Sequence, residues 1–280
     1  MTAVDQDTHS ARSGDHIDRP EPGTGVMWAL RDSWVEATRH LRIVPRNLEL
    51  LMFATIQPIM FVLLFVYVFG GAIEVPGFAN YDQFLIPGVF AQSVVFGSAF
   101  TSIGIAEDMQ KGYIDRLRSL PMSRAAVLIG RTVSDLVRNI ITFAVMLIVA
   151  FLIGFRFEGS LLEALAATAL LLFFSYSLSW VQALIGLGVK SVEAANSAGF
   201  IWMFPLTFVS SAFVSTEQLP SWLEPIARNN PFTVVTNACR ALYNGLPVGS
   251  DLWVSLAWSV GITVAFAAIS IRKFSSSTSA

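Results

Sequence analysis

Charged side chains are scarce in this chain, at 14% of 280 residues, while 54% are hydrophobic. Soluble domains average about 25% charged residues. A water-facing surface cannot be covered with so few ionic groups, which excludes an ordinary cytoplasmic enzyme. Cysteine is nearly absent: Cys239 alone permits neither an intramolecular disulfide nor a Cys-based metal cluster. The three histidines, His9, His16 and His40, all precede the first long apolar run, so a histidine site at membrane depth is excluded. A net charge of −2 offers nucleic acid no global basic surface. Catalytic signatures are missing as well. There is no G-x-x-x-x-G-K-S/T, hence no P-loop in this chain, and no G-x-S-x-G, H-E-x-x-H or C-x-x-C.

Apolar length is what the chain has instead. A hydrocarbon core of about 30 Å takes about 20 helical residues to cross. Six runs reach that length, over 49–70, 84–106, 133–154, 161–188, 195–214 and 251–271. Pro58, Pro87 and Pro205 lie inside them. Neighbouring helices take up the carbonyls that a proline frees, so kinks are expected there and not breaks. Lys and Arg set the orientation. Fifteen of the 18 fall on one side of the six runs, leaving Arg156, Arg228 and Arg240 on the other. The expected fold is an all-α membrane protein of six transmembrane helices, spanning 47–274, with N and C termini cytoplasmic.

Between the runs, composition separates tails from helices. Residues 1–25 and 275–280 are polar, short of packing residues, and read as disordered tails. Over 26–46, Met27, Leu30, Trp34, Ala37, Leu41 and Val44 recur at helical spacing, with Arg31, Arg39 and Arg42 on other faces. That pattern suits an interfacial helix on lipid, or one docked on a soluble partner. Within 107–131, Met109, Tyr113 and Leu117 form a stripe flanked by Arg116 and Arg118; Pro121 then breaks the helix and Ser123 can cap the next. Outside, Pro220 opens a short helix ending near Arg228, and Pro231 opens a second ending at Asn244-Gly245. The pair reads equally as a lid or as a structural cap.

Ionisable groups inside the runs are few. Asp135 and Arg138 sit one turn apart at the start of the third run and read as a structural pair snorkelling to the surface. No acidic group falls at mid-membrane, where ion-driven transporters keep theirs. Any transport energy is therefore expected from another polypeptide. Met52, Met60, Met146, Met203, Trp180, Trp202 and numerous Phe residues supply a soft lining, and Gln57, Gln92 and Gln182 add sparse hydrogen-bonding groups. Such a mixture suits a bulky amphipathic substrate, although most of these residues must serve plain packing.

Three stretches carry a family likeness: EDMQKGYIDRLRSLPMSRAAVLIGR at 107–131, EAANSAGFIWMFPLTFVSSAFV at 193–214 and NNPFTVVTNACRALYNG at 229–245. With them, the chain resembles the permeases of type-2 ABC exporters (ABC-2 type), and looks most like the daunorubicin-resistance group. Many relatives read closer to Glu-Arg-Glu-Lys-Gly where this chain has Glu107, Asp108, Met109 and Gln110 before Lys111. The resemblance implies two permease chains, identical or paralogous, served by two copies of a separate ABC ATPase subunit that binds ATP and Mg. No residue of this chain would then be catalytic or hold a cofactor or metal. Residues 26–46 would be a connecting helix, and 109–120 the coupling helix, with Glu107, Lys111, Gly112, Asp115, Arg116, Arg118 and Pro121 facing the ATPase. Re-entrant helices over 219–244 would close an outer gate at Trp222, Pro231 and Phe232. Met52, Gln57, Met60, Gln92, Phe96, Met203 and Phe204, on the first, second and fifth spans, would line the path. The implied function is export of a hydrophobic or amphipathic, drug-like compound across the plasma membrane. Export of a glycolipid or lipid-linked glycan, and a non-transporting anchor for a regulatory ATPase, are the alternatives.

Overall fold

The computed structural model of the chain describes residues 48–69, 81–114 and 124–276. The expected tail over 1–25, the interfacial helix over 26–46 and most of the 109–120 helix lie outside them. Among the described residues every regular element is helical. In chain order these are α1 Leu48–Leu64, running on as a π-helical turn over Phe65–Phe69; α2 Tyr81–Gln110; α3 Arg124–Ile153; α4 Leu161–Gly186; α5 Val192–Ile201; α6 Met203–Phe208; a 3-10 turn over Thr216–Gln218; α7 Glu224–Arg228; α8 Pro231–Tyr243; and α9 Asp251–Ser276. Four are long and apolar enough to cross a membrane: α2, α3 from Ala125, α4 and α9.

The hub is α2. Of its apolar stretch 78% is buried inside the protein, against 17% for α9, which turns most of its surface outward. Without a hydrophobic force between helices in lipid, close approach comes from small residues. A Cβ on Gly186 of α4 would sit 2.7 Å from the Ser102 carbonyl of α2, and one on Gly88 would collide with the Ala212 carbonyl. Polar cross-links pin the same contacts. Ser175 Oγ of α4 donates to the Val94 carbonyl of α2 at 2.6 Å, and Asn139 Nδ2 of α3 donates to Ser175 Oγ at 2.8 Å. Toward the Tyr81 end, Phe90, Phe143, Phe155, Phe157 and Tyr243 form an aromatic knot, edge-to-face except where Phe157 stacks on Tyr243. Cys239 is sealed behind it, its thiol 3.5 Å from the Ala167 carbonyl.

Two departures from expectation have local causes. The run 195–214 is not one helix: α5 stops at Ile201 and α6 begins at Met203. Pro205 has no N–H for the Ile201 carbonyl and its ring crowds that turn. The chain then leaves helix after Phe208. A helix was expected to restart after Ser123 and α3 does start at Arg124; with 30 residues, about 45 Å of helix at 1.5 Å per residue, it takes in the run 133–154 as its later part. Asp135 and Arg138 thus lie well inside a long helix and are buried, not at its lip reaching for water.

Pro87 lies inside α2 without ending it, and the carbonyls it leaves short of a donor are met from elsewhere. The carbonyl it deprives, that of Gln83, accepts from Asn244 Nδ2 at 3.2 Å; the next, Phe84, accepts from Arg240 Nε at 2.8 Å. Both donors come from the C-terminal end of α8, whose start at Pro231 is capped by Asn230. Arg240, placed by its sequence position among the outer-side charges, is only 4% exposed. Its guanidinium also donates to the Ser211 carbonyl at 2.8 Å and Asn237 Oδ1 at 3.0 Å, and lies 3.6 Å over the Phe84 ring. Arg240→Ala strips these acceptors of their donor and is expected to lower stability by about 3–5 kcal/mol. Arg240→Lys should restore only part of it, because an ammonium cannot fork between them. Thermal unfolding of the purified protein in detergent measures both.

Candidate functional site

Halfway along α2 and α3 the packing opens into a cavity of about 180 Å³. One wall is α1, with Gln57, Pro58 and Phe61; the next is α2, with Gln92, Ser93, Phe96, Gly97 and Phe100; the third is α3, with Arg138, Asn139 and Thr142; Phe200 of α5 closes it. Rings occupy one side and amides with a guanidinium the other. Gln57, Gln92 and Phe96, expected on the path, meet here. Phe204 sits next to it, half exposed, its ring 5.5 Å from that of Phe96.

The other expected path residues are elsewhere. Met60 is 63% exposed and faces away from the protein. Met203 is fully buried and takes a hydrogen bond on sulfur from Gln182 Nε2 at 3.2 Å, an amide that also donates to the Gly199 carbonyl at 3.0 Å. That pair locks α5 and α6 to α4. The Met52 side chain lies outside the described residues.

Arg138 is the end of a ladder. Asp108, at the last turn of α2, lies 3.8 Å from Arg131 of α3; Arg131 Nε lies 3.3 Å from Asp135; and Asp135 lies 3.0 Å from Arg138. Thr101 adds a hydroxyl to Asp135 at 2.6 Å, and Arg138 donates to the Gly97 carbonyl at 3.1 Å while lying 4.5 Å over Phe100. Each charge is matched inside the protein, as burial requires. Arg131, Asp135, Arg138 and Thr142 recur at intervals of four, three and four, one face of a helix. That spacing was the available signal. It is lost when each charge is taken singly as a boundary marker.

From the cavity a file of rings leads away along α6. Phe96, Phe204, Phe208 and Phe213 follow one another with centroids 5.5, 6.0 and 5.4 Å apart, and Phe213 continues to Phe65 at 5.1 Å. Phe213 is tied to the start of α2 by Tyr81, whose hydroxyl donates to its carbonyl at 3.1 Å. The file therefore runs from mid-helix to the end of the bundle where α8 packs.

At the opposite end, Glu107 and Lys111 pair at 3.3 Å on the surface. Helix α2 ends at Gln110 because Gly112 takes a left-handed φ of +65°, a conformation glycine adopts at little cost. The helix expected over 109–120 is thus interrupted at Gly112, and the break expected at Pro121 lies outside the described residues. Met109 and Tyr113 pack on a small cluster with Ile114, Leu128, Trp180 and Phe274. Asp115, Arg116, Arg118 and Pro121 lie outside the described residues. Of the residues expected at an outer gate, Trp222 is 70% exposed, Pro231 is the first residue of α8, and Phe232 is buried in the core.

The ABC-2 type transporter family profile matches residues 33–244, which takes in α1 through α8 and with them cavity, ladder and ring file. The daunorubicin resistance ABC transporter permease protein DrrB1 of Streptomyces coeruleorubidus is 31% identical over 259 residues, 92% of this chain and 89% of that one. The probable doxorubicin resistance permease DrrC of Mycobacterium tuberculosis is 25% identical over 79% of this chain and 81% of its own. The probable multidrug permease YbhR of Escherichia coli is 24% identical over 59% of this chain and 44% of its own. On the extent of that match, and on an architecture of long apolar helices packed round one buried hub, the chain belongs to the ABC-2 type transporter family.

Proposed function

We propose that the chain is the permease subunit of an ATP-driven exporter that moves a hydrophobic or amphipathic, drug-like compound out across the plasma membrane. In this reading α1, α2, α3, α4, the broken α5–α6 pair and α9 make six crossings with both termini in the cytosol. Two permease chains and two copies of an ATPase subunit complete the machine. ATP and Mg belong to the ATPase. The relatives' names, which speak of drug resistance, support the substrate class; the Lys and Arg distribution supports the orientation.

The observation that carries the proposal is the ladder from Asp108 to Arg138. It joins the end of α2, next to the segment 109–120, to the wall of the cavity through contacts of 3.8, 3.3 and 3.0 Å. Closure of the ATPases on ATP would push the chain beyond Gly112. Helix α2 would pass the displacement on as a rigid rod, and the ladder would carry it to Arg138. The cavity would then open toward the ring file, a rigid-body switch between two packed states. Asp135 is held by Arg131, Arg138 and Thr101 and so is no free proton carrier. A cavity of about 180 Å³ favours a compound that inserts one or two rings over a glycan head.

Co-expression with the cognate ATPase tests this. Gly112→Pro is expected to abolish efflux and substrate-stimulated ATP hydrolysis while leaving membrane insertion intact, because proline is fixed near φ −65° where the native value is +65°. Arg116→Glu should do the same. Thr142→Trp, which fills the cavity, should cut efflux by about tenfold or more while basal ATP hydrolysis persists. Vesicles holding the permease alone should accumulate nothing uphill. Unchanged efflux in Gly112→Pro, or uphill accumulation by the lone chain, would overturn the proposal.

A further inference from the structure

We infer that the end of the bundle where α4 finishes and α9 ends binds an anionic phospholipid. Lys190, Arg272 and Lys273 hold its phosphate, and its acyl chains lie along the outward side of α9. The inference does not depend on export; in the proposed orientation this end meets the inner leaflet.

The first argument is a surplus of charge. Every other cation with a described side chain is already engaged. Lys111 pairs with Glu107 at 3.3 Å and Arg228 with Glu224 at 2.8 Å, while Arg131 and Arg138 share Asp135 at 3.3 and 3.0 Å. Arg156 donates to the Phe151 and Phe155 carbonyls at 2.7 Å, and Arg240 to those of Phe84 and Ser211 at 2.8 Å. Lys190, Arg272 and Lys273 are exposed, and among the described residues their side chains meet neither a carboxylate nor another hydrogen-bond acceptor. The acid nearest Lys190 along the chain, Glu193, is hydrogen-bonded to Ser191.

The second argument is that the fold gathers these charges. Helix α4 ends at Gly186 and α5 begins at Val192, so Lys190 lies on the short link between them. A Cβ on Gly188 of that link would sit 2.9 Å from Lys273 Nζ, so the α9 ammonium rests directly on the link. Arg272 precedes it. The platform is fixed: Ser270 Oγ donates to the Trp180 carbonyl of α4 at 3.3 Å, and Phe274 is buried in the cluster with Trp180 and Leu128. Like charges held together repel one another unless an anion lies among them. At a membrane surface the anions at hand are lipid headgroups.

The surface beside the cations selects a lipid over free phosphate. Only 17% of the apolar stretch of α9 is buried, and Val260, Val264 and Ile269 stand exposed on it. One phospholipid meets both features, its chains against the helix and its phosphate among the charges. A zwitterionic lipid brings a cation of its own and loses most of that attraction.

Competition between two lipids tests this. The full chain, purified in neutral detergent without ATPase, is offered equal amounts of phosphatidylglycerol and phosphatidylcholine with the same chains. Native mass spectrometry counts what stays bound. Phosphatidylglycerol is expected to be retained about tenfold or more over phosphatidylcholine, and to raise the Tm by a few degrees. Neutralising the cluster with Lys190→Gln, Arg272→Gln and Lys273→Gln together should bring the preference below about twofold and remove that rise. Lys111→Gln, at a cation that already has its partner, should leave the preference intact. Equal retention of the two lipids, a preference that survives the triple variant or collapses in Lys111→Gln, or displacement of the lipid by millimolar inorganic phosphate would overturn the inference. With no ATPase or ATP present, the outcome is independent of whether the chain exports anything.

Discussion

Inside a hydrocarbon layer there is no water to finish an unfinished hydrogen bond, and most of this structure follows from that constraint. Pro87 frees a carbonyl in the middle of the most buried helix, and α8 answers with Asn244 on Gln83 and Arg240 on Phe84. A guanidinium is a good answer because it forks: the same group reaches Ser211, Asn237 and the face of Phe84. The proline and the cation are therefore one device. It fixes where α8 docks, and hence where the chain re-enters the bundle before α9. The same accounting governs Arg138, whose charge is balanced by Asp135 inside the protein.

The crossings were legible where a single property decides them. Apolar length alone reports α2, α4 and α9, since lipid asks little else of a helix. The start of α3 after Ser123 was legible too, but the burial of Asp135 and Arg138 within it, beside a half-buried Arg131, was not, because charges count against burial until their partners are known. Paired, they cost far less, and pairing depends on Asp108 and Thr101 of another helix. The 195–214 run misled for the opposite reason. It is apolar enough overall to count as one crossing, and only the backbone chemistry of Pro205 reveals that it cannot be one straight element.

The site was half visible for a related reason. Gln57 and Gln92 stand out in an apolar sequence because an amide there needs a purpose, and Phe96 lies one turn from Gln92. Met203 and Phe232 share those qualities of scarcity or size and yet are packed away, Met203 under the Gln182 amide and Phe232 in the core. Nothing in a one-dimensional pattern distinguishes a wall from an interior. What does is the partner supplied from elsewhere in the chain. Asn139 and Thr142 went unremarked because short polar side chains are common in helices and their importance here comes only from the face they share with Arg138.

The ring file has a consequence for how fast cargo would leave. Each aromatic contact is worth about 0.5–1.5 kcal/mol beyond its area, and the centroids from Phe96 to Phe65 are spaced almost evenly, between 5.1 and 6.0 Å. A molecule handed from one ring to the next meets steps of similar height and no deep resting place. In the proposed exporter such a staircase would discriminate poorly but drain quickly. Choice and throughput would then reside in different stretches of the same chain, the first at the amide-lined chamber and the second along a file of five phenylalanines that hold nothing for long.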